Sequence, residues 1–83
     1  MTFSEALVVL KSPGGTIYRS EWNGKGMFLF LVDQWTFSDS TNLGLHYLPL
    51  HDFIAMKTAD GIIVPWLASQ TDILAEDWEG TLP

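Results

Sequence analysis

Met27, Phe28, Leu29, Phe30, Leu31 and Val32 form an apolar run that leaves little choice of backbone state. The run is too short for a buried helix and rich in strand formers, so it reads as a central β-strand. Side chains alternate between the two faces of a strand. Here both sets, Met27/Leu29/Leu31 and Phe28/Phe30/Val32, are apolar, so both faces of the sheet need cover. A chain of 83 residues makes one domain, 1–83, with few elements to supply that cover. So short a domain buries only ~60–65% of the surface its unfolded chain exposes. With no cysteine to staple it, stability must come from apolar packing or from partners. A composition of 47% hydrophobic and 13% aromatic residues supplies the packing and excludes the signature of disorder.

The cover for one face is legible at the start of the chain. Thr2 followed by Glu5 is a capping box, and Phe3, Ala6, Leu7 and Leu10 fall at i, i+3, i+4, i+7 on one helical face. A helix of roughly ten residues is predicted there, ending at Ser12-Pro13-Gly14-Gly15, where proline cannot continue the ladder and glycine permits a reversal. Thr16 to Arg19 reads as a short strand, and Asn23-Gly24-Lys25-Gly26 as a tight turn into the central strand. Asp33 to His51 reads as a long excursion. Phe53 to Thr58, Asp60-Gly61, and Ile62 to Val64 predict a β-hairpin. Ser69 with Asp72 caps a last short helix through Ala75, and Asp77, Trp78 and Glu79 return as an edge strand, with Trp78 packing and Asp77 on the surface. The expected architecture is α+β: a small antiparallel sheet of four to five strands, the N-terminal helix on one face, and a short helix before the last strand. The second face calls for another copy of the chain, with the long excursion as the alternative cover.

Four basic against ten acidic residues give a net charge of −6, which opposes a grip on DNA or RNA backbones. A small anion is still compatible with an acidic protein, because local N–H groups and one or two cations can hold a phosphate. Residues Met1 to Glu5 lack the basic and apolar regions of a signal peptide, and no stretch approaches the ~20 apolar residues of a membrane span. Cytoplasm is the default expectation. No G-x-S-x-G elbow, P-loop, H-E-x-x-H or dinucleotide fingerprint is present, so no catalytic residues and no cofactor are assigned. His46, His51 and Asp52 match no metal-ligand spacing and read better as solvated loop residues.

Two stretches set an aromatic plane beside hydrogen-bonding groups. Trp22-Asn23-Gly24-Lys25-Gly26 offers a flat face for a base, an amide for a base or ribose edge, and glycines that let backbone N–H groups approach a phosphate. The alternative is a plain turn with Trp22 in the core. Trp66, Ser69, Gln70 and Asp72 repeat the theme, and there the alternative is a helix cap with Trp66 as core filler. Lys57, on the opposite strand face from Met56, is either a pocket cation or a solvated edge lysine.

Taken in order, Thr2-Phe3-Ser4-Glu5-Ala6-Leu7, Trp22-Asn23-Gly24-Lys25-Gly26-Met27, Ile54-Ala55-Met56-Lys57-Thr58, and Val64-Pro65-Trp66 with Ser69-Gln70, Asp72, Leu74-Ala75 and Asp77-Trp78 resemble the second Thoeris anti-defence family of bacteriophages. The resemblance covers most of the chain. It implies a homo-oligomer, typically a tetramer, acting in the cytoplasm of the infected host. Such a protein binds glycocyclic ADP-ribose signals without cleaving them and so keeps them from the Thoeris effector. Some members also hold cyclic dinucleotides. By the same resemblance Trp22 and Asn23 contact base or ribose, Gln70 and Asp72 make polar contacts, and Trp66 and Ser69 assist. Gly24 joins the site through its backbone. The competing class is a virion or adaptor structural protein that uses its apolar sheet face for assembly and takes no nucleotide.

Overall fold

The computed structural model describes residues 1–22, 24–33 and 51–83. Helix α1, Phe3–Leu10, starts where Thr2 and Glu5 close the capping box: the Glu5 N–H donates to Thr2 Oγ1 at 3.3 Å, and the Thr2 N–H donates to Glu5 Oε1 at 2.9 Å. Two donors without helical partners are thus satisfied reciprocally. Ala6 and Leu10 are buried, and Phe3, Leu7 and Val9 pack against the same core, whereas Val8 faces solvent. The helix stops where expected. Ser12 Oγ donates to the Val8 carbonyl at 2.9 Å, and Gly14 takes a φ of +74°, a region open to glycine. Gly15 lies so close to the preceding turn that a Cβ would collide with the Val9 carbonyl oxygen.

The chain then reverses into strand β1, Thr16–Arg19, followed by β2, Phe28–Val32, β3, Phe53–Lys57, and β4, Ile63–Pro65. A short helix α2, Gln70–Leu74, precedes the last strand β5, Trp78–Thr81. All five strands form one sheet in the order β4-β3-β2-β1-β5, with every pairing antiparallel. This is the α+β architecture that the sequence predicts, with the apolar run at its centre. Strand β2 begins one residue later than expected, at Phe28, because Gly26 is still in the turn at a φ of +75°. The β3–β4 loop runs from Thr58 to Ile62, wider than the two-residue turn that Asp-Gly favours. It closes through Thr58 N–H to Ile62 O at 2.8 Å, with Gly61 at a φ of +83°.

Register decides which side chains share a face. Ile17 opposes both Leu29 and Gly80, and Arg19 opposes Trp78. Directly opposed residues of an antiparallel pair point the same way, so Ile17, Leu29, Arg19 and Trp78 stand on the α1 side. Ile17, Leu29 and Trp78 are fully buried there with Ala6 and Leu10. Phe28, Phe30 and Val32 take the other face, with the two phenyl rings 6.1 Å apart and Lys57 Nζ 5.8 Å above the Phe28 ring. Val32 and Ala55 are buried on that side. The predicted excursion falls mostly on residues 34–50, which lie outside the described residues.

Candidate functional site

One tryptophan organises the end of the sheet where β1 and β5 meet. Trp78 is fully buried, and its ring meets those of Phe3 at 5.3 Å, Trp22 at 5.7 Å and Trp66 at 6.1 Å, the last two nearly edge-on. Edge-to-face contacts of this kind contribute about 0.5–1.5 kcal/mol each beyond the apolar area they bury. The indole N–H is satisfied as well, donating to the Asp72 carbonyl at 2.8 Å. Trp78 therefore joins α1, α2 and the Ser20–Trp22 turn in one cluster.

Beside it lies Arg19, buried to 8% exposure. Because side chains alternate along β1, the residue two places from core Ile17 must also face inward. A buried guanidinium is tolerable only when its donors are matched. Here three carboxylates converge: Asp77 Oδ1 on Nε at 2.8 Å, Asp72 Oδ1 on Nη1 at 2.8 Å and Glu21 Oε2 on Nη2 at 2.6 Å. The Arg19 guanidinium, already a strong base, is held still more firmly in its charged form, first by Asp77 and then by Asp72. Asp77 in turn drops from the ordinary carboxylate range to about 2, chiefly because Arg19 donates to it, with the Glu21 N–H and Ser20 hydroxyl adding to the effect. Asp77 is thus half-buried and paired, not the free surface residue that the sequence suggested.

Arg19, Glu21, Trp22, Lys25, Met27, Ser69, Thr71 and Asp72 line a cleft of about 400 Å³. One wall is the Ser20–Trp22 turn and the glycine-flanked Lys25; the other is the start of α2. Ser69 caps that helix, its Oγ accepting the Asp72 N–H at 3.1 Å. The Asp72 carboxylate does not return the bond to Ser69 but reaches across to Arg19, so this residue ties one wall of the cleft to the other. A second concavity of about 300 Å³ shares Trp22, Lys25 and Met27 with the cleft and is completed by Thr16, Tyr18, Gly24, Gly26 and Phe28. Lys57 secures the shared turn, donating from Nζ to the Gly26 carbonyl at 3.0 Å.

The fold brings Trp22, Ser69 and Asp72 together in the cleft although they are remote in sequence. Gly24 lines the second concavity and not the cleft. Trp66 is half-buried, packs on Phe3 at 5.9 Å and on Trp78, and does not line the cleft. Gln70 opens α2 with its side chain exposed and does not line the cleft. Asn23 lies outside the described residues, as does His46. His51 is exposed, with Nδ1 2.9 Å from the Asp52 carbonyl, and no cluster of three metal-ligating side chains occurs among the described residues. Sequence reasoning overlooked Glu21, Thr71 and above all Arg19. The signal for Arg19 was its strand parity with Ile17, which makes it an inward cation in need of carboxylates.

Comparison with known proteins places the chain in a family. The profile of the Thoeris anti-defense 2-like domain matches residues 1–80, and the chain belongs to that family of phage anti-defence proteins. Thoeris anti-defense 2 of Bacillus phage SP01 is 48% identical over 83 residues, a match spanning 95% of this chain and 92% of the phage SP01 protein.

Proposed function

We propose that the protein binds and sequesters a cyclic ADP-ribose-type immune signal, of the glycocyclic ADP-ribose kind, without cleaving it, and so denies the signal to the Thoeris effector. The observation that carries this reading is the convergence of Trp22, Ser69 and Asp72 with Arg19 and Lys25 on one cleft of about 400 Å³. That volume falls within the range of small-molecule sites. An indole face suits a base, the Ser69 and Thr71 hydroxyls and the Asp72 carboxylate suit ribose hydroxyls, and Lys25 at the exposed rim suits a phosphate. Cyclic dinucleotides offer the same groups and form the second ligand class of the proposal. The protein works as a homo-oligomer, a tetramer by family resemblance, in the cytoplasm of the infected cell. The support for assembly is the family resemblance, together with Phe28 on the sheet face opposite α1, which the chain leaves half-buried.

The test is to incubate the purified protein with a nucleotide extract of infected cells and identify by mass spectrometry what heat denaturation releases. An intact cyclic nucleotide supports sequestration. A cleaved product would make the protein a hydrolase. Oligomers in light scattering with no thermal shift for any nucleotide would favour the structural or adaptor role instead, and a native monomer would remove the assembly claim.

A further inference from the structure

Trp22 lines both the cleft and the neighbouring concavity, so its orientation bears on the shape of both. Yet the element that carries it, Ser20–Trp22, is one tight turn of three residues. An isolated turn has little stability of its own, because fixing its dihedrals costs more than its few hydrogen bonds return. What holds it comes from the other end of the chain. The Asp77 carbonyl accepts the Ser20 N–H at 3.1 Å, and Asp77 Oδ2 accepts the Ser20 hydroxyl at 3.1 Å and the Glu21 N–H at 3.0 Å. Asp77 Oδ1 meanwhile accepts Arg19 Nε at 2.8 Å. One residue thus grips three consecutive positions immediately before Trp22.

The geometry points to Asp77, charged and oriented by Arg19, as the positioning residue that sets Trp22 for ligand binding. The guanidinium fixes the plane of the carboxylate by taking Oδ1, which leaves Oδ2 facing the turn. Arg19 is itself fixed from two further directions by Asp72 and Glu21, so the carboxylate has a rigid reference. Asparagine cannot serve both sides. With its oxygen toward Arg19, its amide N–H groups face the Ser20 and Glu21 donors; flipped, they face the guanidinium. Trp22 then keeps its backbone tether at Ser20, but either the Glu21 N–H loses its acceptor or the side chain loses its fixed reference on Arg19, and in both cases the turn is held less firmly. The consequence for affinity rests on the nucleotide reading above; the consequence for Trp22 itself does not.

Two measurements separate these. In the empty protein labelled with 5-fluorotryptophan, Asp77→Asn is expected to shift or broaden the Trp22 fluorine resonance, assigned by its loss in Trp22→Phe, while that of Trp66 stays in place. Ser20→Ala, which removes one bond at an exposed hydroxyl, is expected to move the same resonance less, and it serves should Asp77→Asn fail to fold. An unmoved Trp22 resonance in the folded variants would overturn the inference. With cyclic ADP-ribose as the probe in calorimetry, Asp77→Asn is expected to weaken binding by no more than Trp22→Ala does, and to add nothing in the Trp22→Ala background, since both act through one ring. Equal losses in both backgrounds would overturn it as well. If the unmodified protein takes up no cyclic ADP-ribose, the nucleotide reading fails for this probe, and the fluorine spectra alone decide the positioning role.

Discussion

Replacing Asp72 by alanine removes one of the three carboxylates on Arg19 and leaves the others at 2.6 and 2.8 Å. Loss of a partner from a fully buried ion pair costs about 3–5 kcal/mol. The Asp72 side chain retains 19% exposure, and Arg19 keeps two counter-charges, so the cost falls to that of a single charge-assisted hydrogen bond, about 1.5–3 kcal/mol. The Ser69 cap uses the Asp72 backbone N–H, and the Trp78 indole uses the Asp72 carbonyl, so both survive the substitution. For a domain of this size each kcal/mol moves Tm by roughly 4–8 °C, giving an expected fall of about 6–24 °C. Melts followed by circular dichroism at fixed protein concentration measure it. Asp72→Asn, which keeps an acceptor oxygen without the charge, should lie between the two. A change below roughly 2 °C in Asp72→Ala would refute the ion-pair reasoning. Calorimetry on the same folded variant tests the site: affinity should fall too, because Asp72 lines the cleft. Affinity unchanged for every nucleotide that the unmodified protein binds would leave Asp72 with the fold alone.

Trp22→Ala should weaken nucleotide binding by roughly fivefold to more than a hundredfold, the equivalent of ~1–3 kcal/mol of base stacking, as read by calorimetry. Gly15→Ala should destabilise the fold by about 1–3 kcal/mol or more in urea titrations, because the new methyl group meets the Val9 carbonyl, a backbone group that cannot swing away. Asp77, held at about 2 when folded, binds fewer protons in the folded than in the unfolded chain near pH 3. Its stabilising contribution should be complete above roughly pH 4 and vanish as pH falls toward 2, so the stability gap between the unmodified protein and Asp77→Asn should close over that window; a constant gap would contradict the assignment.

Local rules made much of the fold readable from the sequence. The Thr2/Glu5 box, the Phe3-Ala6-Leu7-Leu10 stripe, the proline and glycines at 13–15 and the Asp60-Gly61 signal act over a few residues, and each produced the element its chemistry demands. The apolar run from Met27 to Val32 was legible as a strand because it is short and rich in strand formers, and it became β2, the third of the five strands. The residues of the site were legible as types and not as roles. Trp22, Ser69 and Asp72 could be marked as an aromatic plane with polar neighbours, but whether each turns to the cleft or the core depends on register. Trp66 and Trp22 look alike in sequence; α1 supplies Phe3 to one of them, while the other lines two concavities. Asp77 looked like a surface residue, and Asp72 like a polar ligand contact or a helix cap, because nothing near them in the chain carries their counter-charge. Arg19 reaches them only once β5 pairs with β1 and Trp78 draws α2 against the core. Sequence determined the elements because hydrogen-bond geometry and side-chain periodicity are local, whereas the cleft was decided by tertiary structure, because a buried cation takes its partners from whatever the fold brings within about 3 Å.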